Sequence, residues 1–140
     1  TAGFILILLV AIQGRKRPVP SLEEKMTLAN FYRACIELAE AMKLELVEKE
    51  TGDNRIDLLA KNPTPLTGGL LLIRGIYSTG TIPSTAVLEL SNTVLQERVT
   101  KGIFITTGKF SDDLSTLAEL APMEFIDGKR LGELIEKYHI

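Results

Sequence analysis

The stretch "TGDNRIDLLA", residues 51–60, decides the fold because it joins a polar turn to an apolar strand. Residues 52–54 (Gly-Asp-Asn) have the composition of a tight turn, and residues 55–60 have that of a strand. Asp57 stands inside the apolar part. Burying a lone carboxylate costs on the order of several kcal/mol unless a metal, a donor or a base pairs with it. Asp57 is therefore a candidate functional residue.

Hydrophobic periodicity along the rest of the chain predicts an α/β domain with the element order α-β-β-β-α-β-α-β-α. The predicted elements are, in chain order, a helix over 22–43, strands over 44–50, 55–60 and 70–77, a helix over 84–99, a strand over 102–107, a helix after Ser111, a strand over 123–126 and a helix after Asp127. The strand at 70–77 is apolar on both faces, which predicts a central place in the sheet.

The helices have specific predicted ends and inward faces. Ser21 and Glu24 have the spacing of a capping box, which predicts the start of the first helix. Its predicted apolar stripe consists of Leu28, Tyr32, Cys35, Ala39 and Met42, widened by Phe31, Ile36 and Leu38. In the second helix the predicted inward residues are Val87, Leu90 and Val94. In the last helix they are Leu131, Leu134, Ile135 and Tyr138.

The composition excludes several classes of site. The chain has 140 residues with one cysteine, Cys35, and one histidine, His139. A disulfide framework, a Ser-His-Asp triad and a Cys/His metal cluster are therefore excluded, and any metal would be a hard cation bound by carboxylates. The formal net charge of −2 gives no global attraction to nucleic acid, so DNA binding would need a local basic patch.

The first 20 residues differ from the rest, so we divide the chain into an N-terminal segment, 1–20, and a domain, 21–140. Gly3–Ile12 is uniformly apolar, but at about ten residues it is shorter than the roughly 20 that span a bilayer. The basic residues Arg15, Lys16 and Arg17 follow, which is typical of the cytoplasmic end of a membrane anchor. The remnant of an anchor, a buried strand and an oligomer-forming segment stay open as alternatives. The basic residues are candidates for binding DNA or a membrane surface.

Three blocks carry a resemblance to a known family. They are "TGDNRIDLLA" at 51–60, "KGIFITTGKFS" at 101–111 and "FIDGKRLGELIEK" at 125–137. In this order and spacing they resemble the Mrr-type domain of the restriction-endonuclease-like PD-(D/E)XK nucleases. The resemblance covers about residues 27–137 and implies a central mixed β-sheet flanked by helices, with an αβββαβ core.

The resemblance implies metal-dependent hydrolysis of phosphodiester bonds. Two acids would hold Mg²⁺, and a lysine two residues after the second acid would hold the attacking water. Asp57 matches the first acid and would be a metal ligand. The segment "GGLLLIRGIYSTG" at 68–80 contains no Asp, Glu, Gln or Lys. Only one register keeps a base there, with Arg74 at the lysine position and Leu72 at the position of the second acid.

These departures predict a catalytically degenerate Mrr-like domain that binds DNA or another partner. Asp57 and Arg74 would form an ion pair across adjacent strands, and no cofactor is expected. Between Pro63 and Leu88 the only charged residue is Arg74, which leaves few bases where DNA would lie.

Two alternatives stay open. One is an active Mg²⁺-dependent endonuclease that uses Asp57 with Glu37 or Glu40 of the first helix. The other is a membrane-associated scaffold that does not bind DNA. The partners to consider are DNA, a membrane and a further copy of the chain. The expected location is the cytoplasm, with tethering to the inner face of the membrane if the anchor is real.

Overall fold

The computed structural model describes residues 26–66, 68–112, 114 and 121–140. The elements are helix α1 (Leu28–Ala41), strands β1 (Glu45–Thr51), β2 (Arg55–Lys61), β3 (Leu70–Ile76) and β4 (Thr81–Ile82), helix α2 (Ser84–Gln96), strands β5 (Lys101–Thr106), β6 (Lys109–Phe110) and β7 (Met123–Ile126), and helix α3 (Gly128–Tyr138). Five strands form the main sheet in the order β1-β2-β3-β5-β7. The pairs β1–β2 and β2–β3 are antiparallel, whereas β3–β5 and β5–β7 are parallel. The predicted mixed sheet is confirmed, with β3 at its centre.

Helices pack on both faces of this sheet. On the first face, α1 and α3 cover a cluster that includes Ile56 and Leu58 of β2 and Ile103 of β5. On the second face, α2 packs over Phe104 of β5, and Leu72 of β3 joins that cluster. Because successive strand residues point to opposite faces, Asp57 lies on the second face, between two residues of the first-face cluster.

Helix α1 begins later than the sequence predicted. Met26 and Thr27 are not helical, and the Thr27 hydroxyl accepts a hydrogen bond of 3.1 Å from the backbone N–H of Asn30. Thr27 is therefore the N-cap, so a helix that continues through residues 26 and 27 is wrong. The helix ends at Ala41 rather than at Lys43, because Lys43 has a left-handed backbone with φ 65°.

The buried stripe of α1 is narrower than the predicted one. Its buried residues are Phe31, Ala34, Cys35, Leu38 and Ala39. All of these except Ala34 belong to the predicted stripe. Leu28, Tyr32 and Met42 are only half-buried, at the margin of the contact with the sheet.

The other helices follow the predictions with two differences. Val87, Leu90 and Val94 of α2 are buried as predicted. The helix ends at Gln96 rather than Val99, because Arg98 adopts a left-handed backbone with φ 55°. Asp127 caps α3 by accepting a hydrogen bond of 2.8 Å from the N–H of Arg130, as expected.

The predicted inward face of α3 is correct for Leu131 and Leu134, which are buried. It is wrong for Tyr138, which is 36% exposed in the last turn, and Ile135 is only half-buried. The sequence also missed β4 and β6, which form a separate two-stranded parallel sheet. These strands are too short to give a periodic signal.

Several predictions fall outside the described residues. They concern the apolar segment Gly3–Ile12, the bases at residues 15–17, the boundary near residue 20, the proposed cap at Ser21, and most of the helix after Ser111. Among the residues that the structure describes, no helix is both long enough and apolar enough to cross a membrane.

Gly75 lets α1 approach the central strand closely. A Cβ atom built at this position would lie 2.9 Å from Cys35 Sγ, 3.0 Å from Ile56 Cγ2 and 3.1 Å from Phe31 Cζ. All three neighbours are fully buried, so none of them can move into open space. The absence of a side chain at Gly75 therefore sets the distance between α1 and the sheet.

We predict that Gly75→Ala lowers the free energy of unfolding by about 1–3 kcal/mol, because it overpacks this contact. Urea unfolding followed by circular dichroism measures the change. In a Cys35→Ala background the added methyl group has more room, so the same substitution should cost less there. An equal cost in both backgrounds would contradict the proposed contact.

Burial also controls the chemistry of Cys35. Desolvation raises the pKa of its thiol from 9.0 to about 12. Between these two pH values the folded protein therefore keeps the thiol proton, whereas the unfolded chain loses it. The resulting stabilisation is fully present below about pH 9 and is lost as the pH rises through the folded-state pKa.

We predict that Cys35 reacts with a thiol reagent only when the protein unfolds. Adding urea at mildly alkaline pH should therefore accelerate the reaction sharply. The free energy of unfolding should also fall more steeply above about pH 9 in the wild type than in Cys35→Ala, because the variant lacks the thiol. Rapid labelling of the native protein would contradict the buried position.

Candidate functional site

The second face of the main sheet is only partly covered. Helix α2 packs over β5 and the nearer side of β3, and a cleft of about 500 Å³ opens between α2 and the edge strand β1. Its lining residues are Glu48, Lys49, Glu50, Asp57, Leu58, Leu59, Leu72, Arg74 and Thr93. The cleft thus contains Asp57, Leu72 and Arg74. The sequence predicted these residues at the positions of the first acid, the second acid and the lysine of the nuclease site.

The strand register places charged residues in one row across the sheet. Glu50 of β1 pairs with Asp57 of β2, and Asp57 pairs with Arg74 of β3. Directly opposed residues in an antiparallel ladder point to the same face, with Cβ atoms about 4.5–5.5 Å apart. Asp57 therefore has a carboxylate neighbour on one side and a guanidinium neighbour on the other.

Asp57 is bound by arginine on both carboxylate oxygens. Arg74 Nε donates a hydrogen bond of 2.8 Å to Asp57 Oδ1, and the two side chains are only 13% and 18% exposed. Arg55 Nε lies 3.1 Å from Oδ2, but it makes no hydrogen bond there, so that contact is purely electrostatic. The ion pair between Asp57 and Arg74 that the sequence suggested is present, and Arg55 is an additional partner that it did not suggest.

Arg74 also links the sheet to α2. Its Nη1 lies 3.5 Å from Oε1 of Glu89, whose side chain is largely exposed. The hydrogen bond to Asp57 is shorter and better shielded from water, so it carries most of the interaction. Arg74 thus contacts two acids, one below it on the sheet and one beside it on the helix.

The residues of the cleft do not fit a magnesium site. Both oxygens of Asp57 face guanidinium groups, and Leu72, at the predicted position of the second acid, has no ligand atom. Among the described residues, no group of three or more His, Cys, Asp or Glu side chains is arranged to hold a metal ion. Mg²⁺ needs several oxygen ligands in near-octahedral geometry, which this arrangement does not supply.

The structure does not bring the helical acids to Asp57. Glu37 is half-buried and Glu40 is exposed on α1, and α1 packs against the first face of the sheet. Asp57 points to the second face. The bases Arg15, Lys16 and Arg17 lie outside the described residues, so their roles stay predictions.

Sequence reasoning missed Glu48 and Glu50 as residues of the cleft. They belong to "LELVEKE", where charged and apolar residues do not alternate regularly, and a β-bulge between Leu46 and Glu48 shifts the register. The signal that could have found Glu50 is the hairpin itself. Counting back from the turn at residues 52–54 pairs Thr51 with Ile56 and Glu50 with Asp57.

The architecture defines the class of protein. An antiparallel hairpin leads into a central strand, parallel strands follow, helices cover both faces, and the candidate acid lies on the hairpin; this is the restriction-endonuclease-like fold. The model of the Mrr_cat restriction endonuclease family matches residues 23–135. The chain therefore belongs to the Mrr restriction endonuclease family. None of the curated proteins searched matches it.

Three solved structures are similar to this chain, and two of them are restriction endonucleases. The DNA modification-dependent restriction endonuclease AspBHI has a TM-score of 0.51 and 10% sequence identity, and the match covers 91% of this chain and 38% of the AspBHI chain. Apo EndoMS has a TM-score of 0.49 and 15% identity, covering 69% and 45%. MspJI bound to a 27-mer oligonucleotide has a TM-score of 0.41 and 19% identity, covering 96% and 30%. This chain thus spans less than half the length of each, and the likeness concerns the fold alone.

We predict that Asp57 and Arg74 are energetically coupled. A double-mutant cycle with Asp57→Ala and Arg74→Met should give a coupling energy of about 1.5–3 kcal/mol in urea unfolding, because a charge-assisted hydrogen bond is lost. Asp57→Ala should cost more than Arg74→Met, since it leaves two guanidinium groups without their shared acceptor. In Arg74→Met, Asp57 keeps Arg55.

The chain offers a matched control for this cycle. Lys101 Nζ and Glu124 Oε2 are also 2.8 Å apart, but their side chains are 40% and 54% exposed. An exposed pair is typically worth about 0.2–1 kcal/mol. Equal coupling energies for the two pairs would contradict the claim that burial strengthens the contact of Asp57 with Arg74.

Proposed function

We propose that this chain is a binding domain of the Mrr restriction endonuclease family that does not hydrolyse phosphodiester bonds. The observation that carries the proposal is the state of Asp57, whose two oxygens are held by Arg74 at 2.8 Å and Arg55 at 3.1 Å. In a nuclease of this fold the corresponding acid would be available to a metal ion.

The energetics of the contact support this proposal. A metal ion at Asp57 would have to displace two cationic partners. Displacing one of them, Arg74, would also break a hydrogen bond that is well shielded from water. Nothing at Leu72 would compensate for that loss, because a leucine side chain cannot bind a cation. An arginine at this position is also a poorer activator of water than a lysine, because its guanidinium group is a planar, delocalised cation and not a compact amine.

DNA is the ligand that family membership suggests, but the cleft has few basic groups available to contact its phosphates. Arg74 is already bound by Asp57 and Glu89, and Glu48 and Glu50 lie along β1. Phosphate contacts supply most non-specific affinity for DNA and require available bases or oriented amides. The proposed role is therefore binding without cleavage, and the cleft of the described domain is not suited to the DNA backbone.

One observation favours a second candidate function, a metal-dependent endonuclease with an altered ligand set. Glu50 pairs directly with Asp57 across β1 and β2, so two carboxylates share one face of the sheet. Glu50 could then replace the missing second acid of β3. Against this candidate, Asp57 would first have to release its arginine partners.

We predict that the chain leaves supercoiled plasmid intact in the presence of Mg²⁺ or Mn²⁺, because arginine lies against both oxygens of Asp57 and Leu72 provides no ligand atom. Gel electrophoresis after prolonged incubation measures this, with Asp57→Ala and Glu50→Gln run in parallel to detect any contaminating nuclease. Calorimetric titration with Mn²⁺ should also give no heat of binding that depends on Asp57.

Two results would decide for the second candidate. Plasmid cleavage that disappears in both Asp57→Ala and Glu50→Gln would establish a nuclease that uses the β1–β2 pair of acids. Cleavage that disappears only in Asp57→Ala would also overturn the proposed function, and it would assign the second ligand to another residue. Cleavage that persists in both variants would come from a contaminant.

A further inference from the structure

The outer edge of β1 has no neighbouring strand in the part of the chain that the structure describes. In the main sheet β1 pairs with β2 alone, so its other row of backbone N–H and C=O groups has no strand partner among the described residues. An open strand edge is a template for a further strand from another polypeptide. The bulge between Leu46 and Glu48 limits regular pairing to residues 48–51.

Two acids of this edge strand have no counter-charge. Glu48 and Glu50 are exposed, and they pair across the sheet with Leu59 and Asp57, so both point to the second face. Neither forms an ion pair within the part of the chain that the structure describes, although Asp57, Glu89 and Glu124 all do. The spacing of alternate strand residues separates the two carboxylates by about 7 Å.

The cleft beside these acids has an apolar floor. Leu59 of β2 and Leu72 of β3 are half-buried there, and Thr93 of α2 forms the far wall. Such a floor accommodates methylene groups of a long basic side chain that lies over the acidic rim. The apolar floor and the acidic rim are together complementary to the apolar stem and the positive charge of a lysine or arginine side chain.

Two other occupants fit less well. The phosphates of DNA would meet Glu48 and Glu50, and the arginine of the cleft is already engaged with Asp57 and Glu89. A second copy of this chain paired through β1 would bring the same acids close together. Like charges that oppose each other across strands are destabilising. The charges of this edge therefore select against self-pairing and in favour of a basic segment.

Resting on the binding role proposed above, we propose that the β1 edge and its cleft bind an extended, basic segment of another protein. The segment pairs with the backbone of residues 48–51, and two basic residues at alternate positions contact Glu48 and Glu50. Their charged ends meet these carboxylates on β1, one strand spacing of about 4.8 Å from the added strand. Main-chain hydrogen bonds supply affinity in this mode, and the alternating charges supply specificity.

The test uses the chain with a fluorescent peptide of alternating arginine and threonine as the probe. Fluorescence anisotropy should show saturable binding that weakens as salt is raised. Glu50→Lys should weaken it at least tenfold, whereas Glu136→Lys, the same charge change on exposed α3, should leave it within about twofold. Thermal unfolding verifies that both variants are folded.

A second readout separates strand addition from simple charge attraction. Bound peptide should slow amide hydrogen exchange at residues 48–51, whereas a peptide of alternating glutamate and threonine should not. Equal weakening by Glu50→Lys and Glu136→Lys, or protection elsewhere than β1, would overturn the proposal. Duplex DNA added without peptide that protects residues 48–51 from exchange would overturn it as well. Plasmid cleavage is measured separately, so loss of the proposed function and loss of peptide binding are distinguishable results.

Discussion

The contact between Asp57 and Arg74 is the constraint on which the rest of the site depends. A carboxylate on a sheet with helices on both faces must have a partner, because removing its hydration without compensation is costly. The register of β2 and β3 places Arg74 directly opposite, and the observed hydrogen bond of 2.8 Å satisfies that need. This bond gives Asp57 a counter-charge within the sheet itself.

Much of the fold follows from sequence pattern because the sheet is strongly patterned. The apolar character of β3 and β5 identified them as inner strands, although only β5 is buried on both faces and β3 is half-buried on the second. The turn at residues 52–54 fixed the β1–β2 hairpin. Helix ends were less predictable. Thr27 caps α1 through one local hydrogen bond, and left-handed residues at Lys43 and Arg98 end two helices. Periodicity carries no information about either feature.

The candidate site was only half predictable for a similar reason. Asp57 stood out because it interrupts an apolar strand, and Arg74 because it is the only charge in its segment. Glu48 and Glu50 did not stand out, since an exposed edge strand is expected to be charged. Their relevance comes from cross-strand register and from a bulge. Both are properties of strand pairing and not of the β1 sequence alone.

Leu72 connects the state of Asp57 to the character of the cleft. An acid at this position would have held a cation beside Asp57, whereas leucine packs with the cluster under α2. Leucine at this position offers no ligand atom to a metal ion, and it adds apolar surface to the cleft floor. With Arg74 engaged by Asp57 and Glu89, the cleft-lining charges without an ion-pair partner among the described residues are those of the edge strand, and they are mainly negative. These charges and the apolar floor are the reason why the binding role that we propose calls for basic side chains and not for phosphate.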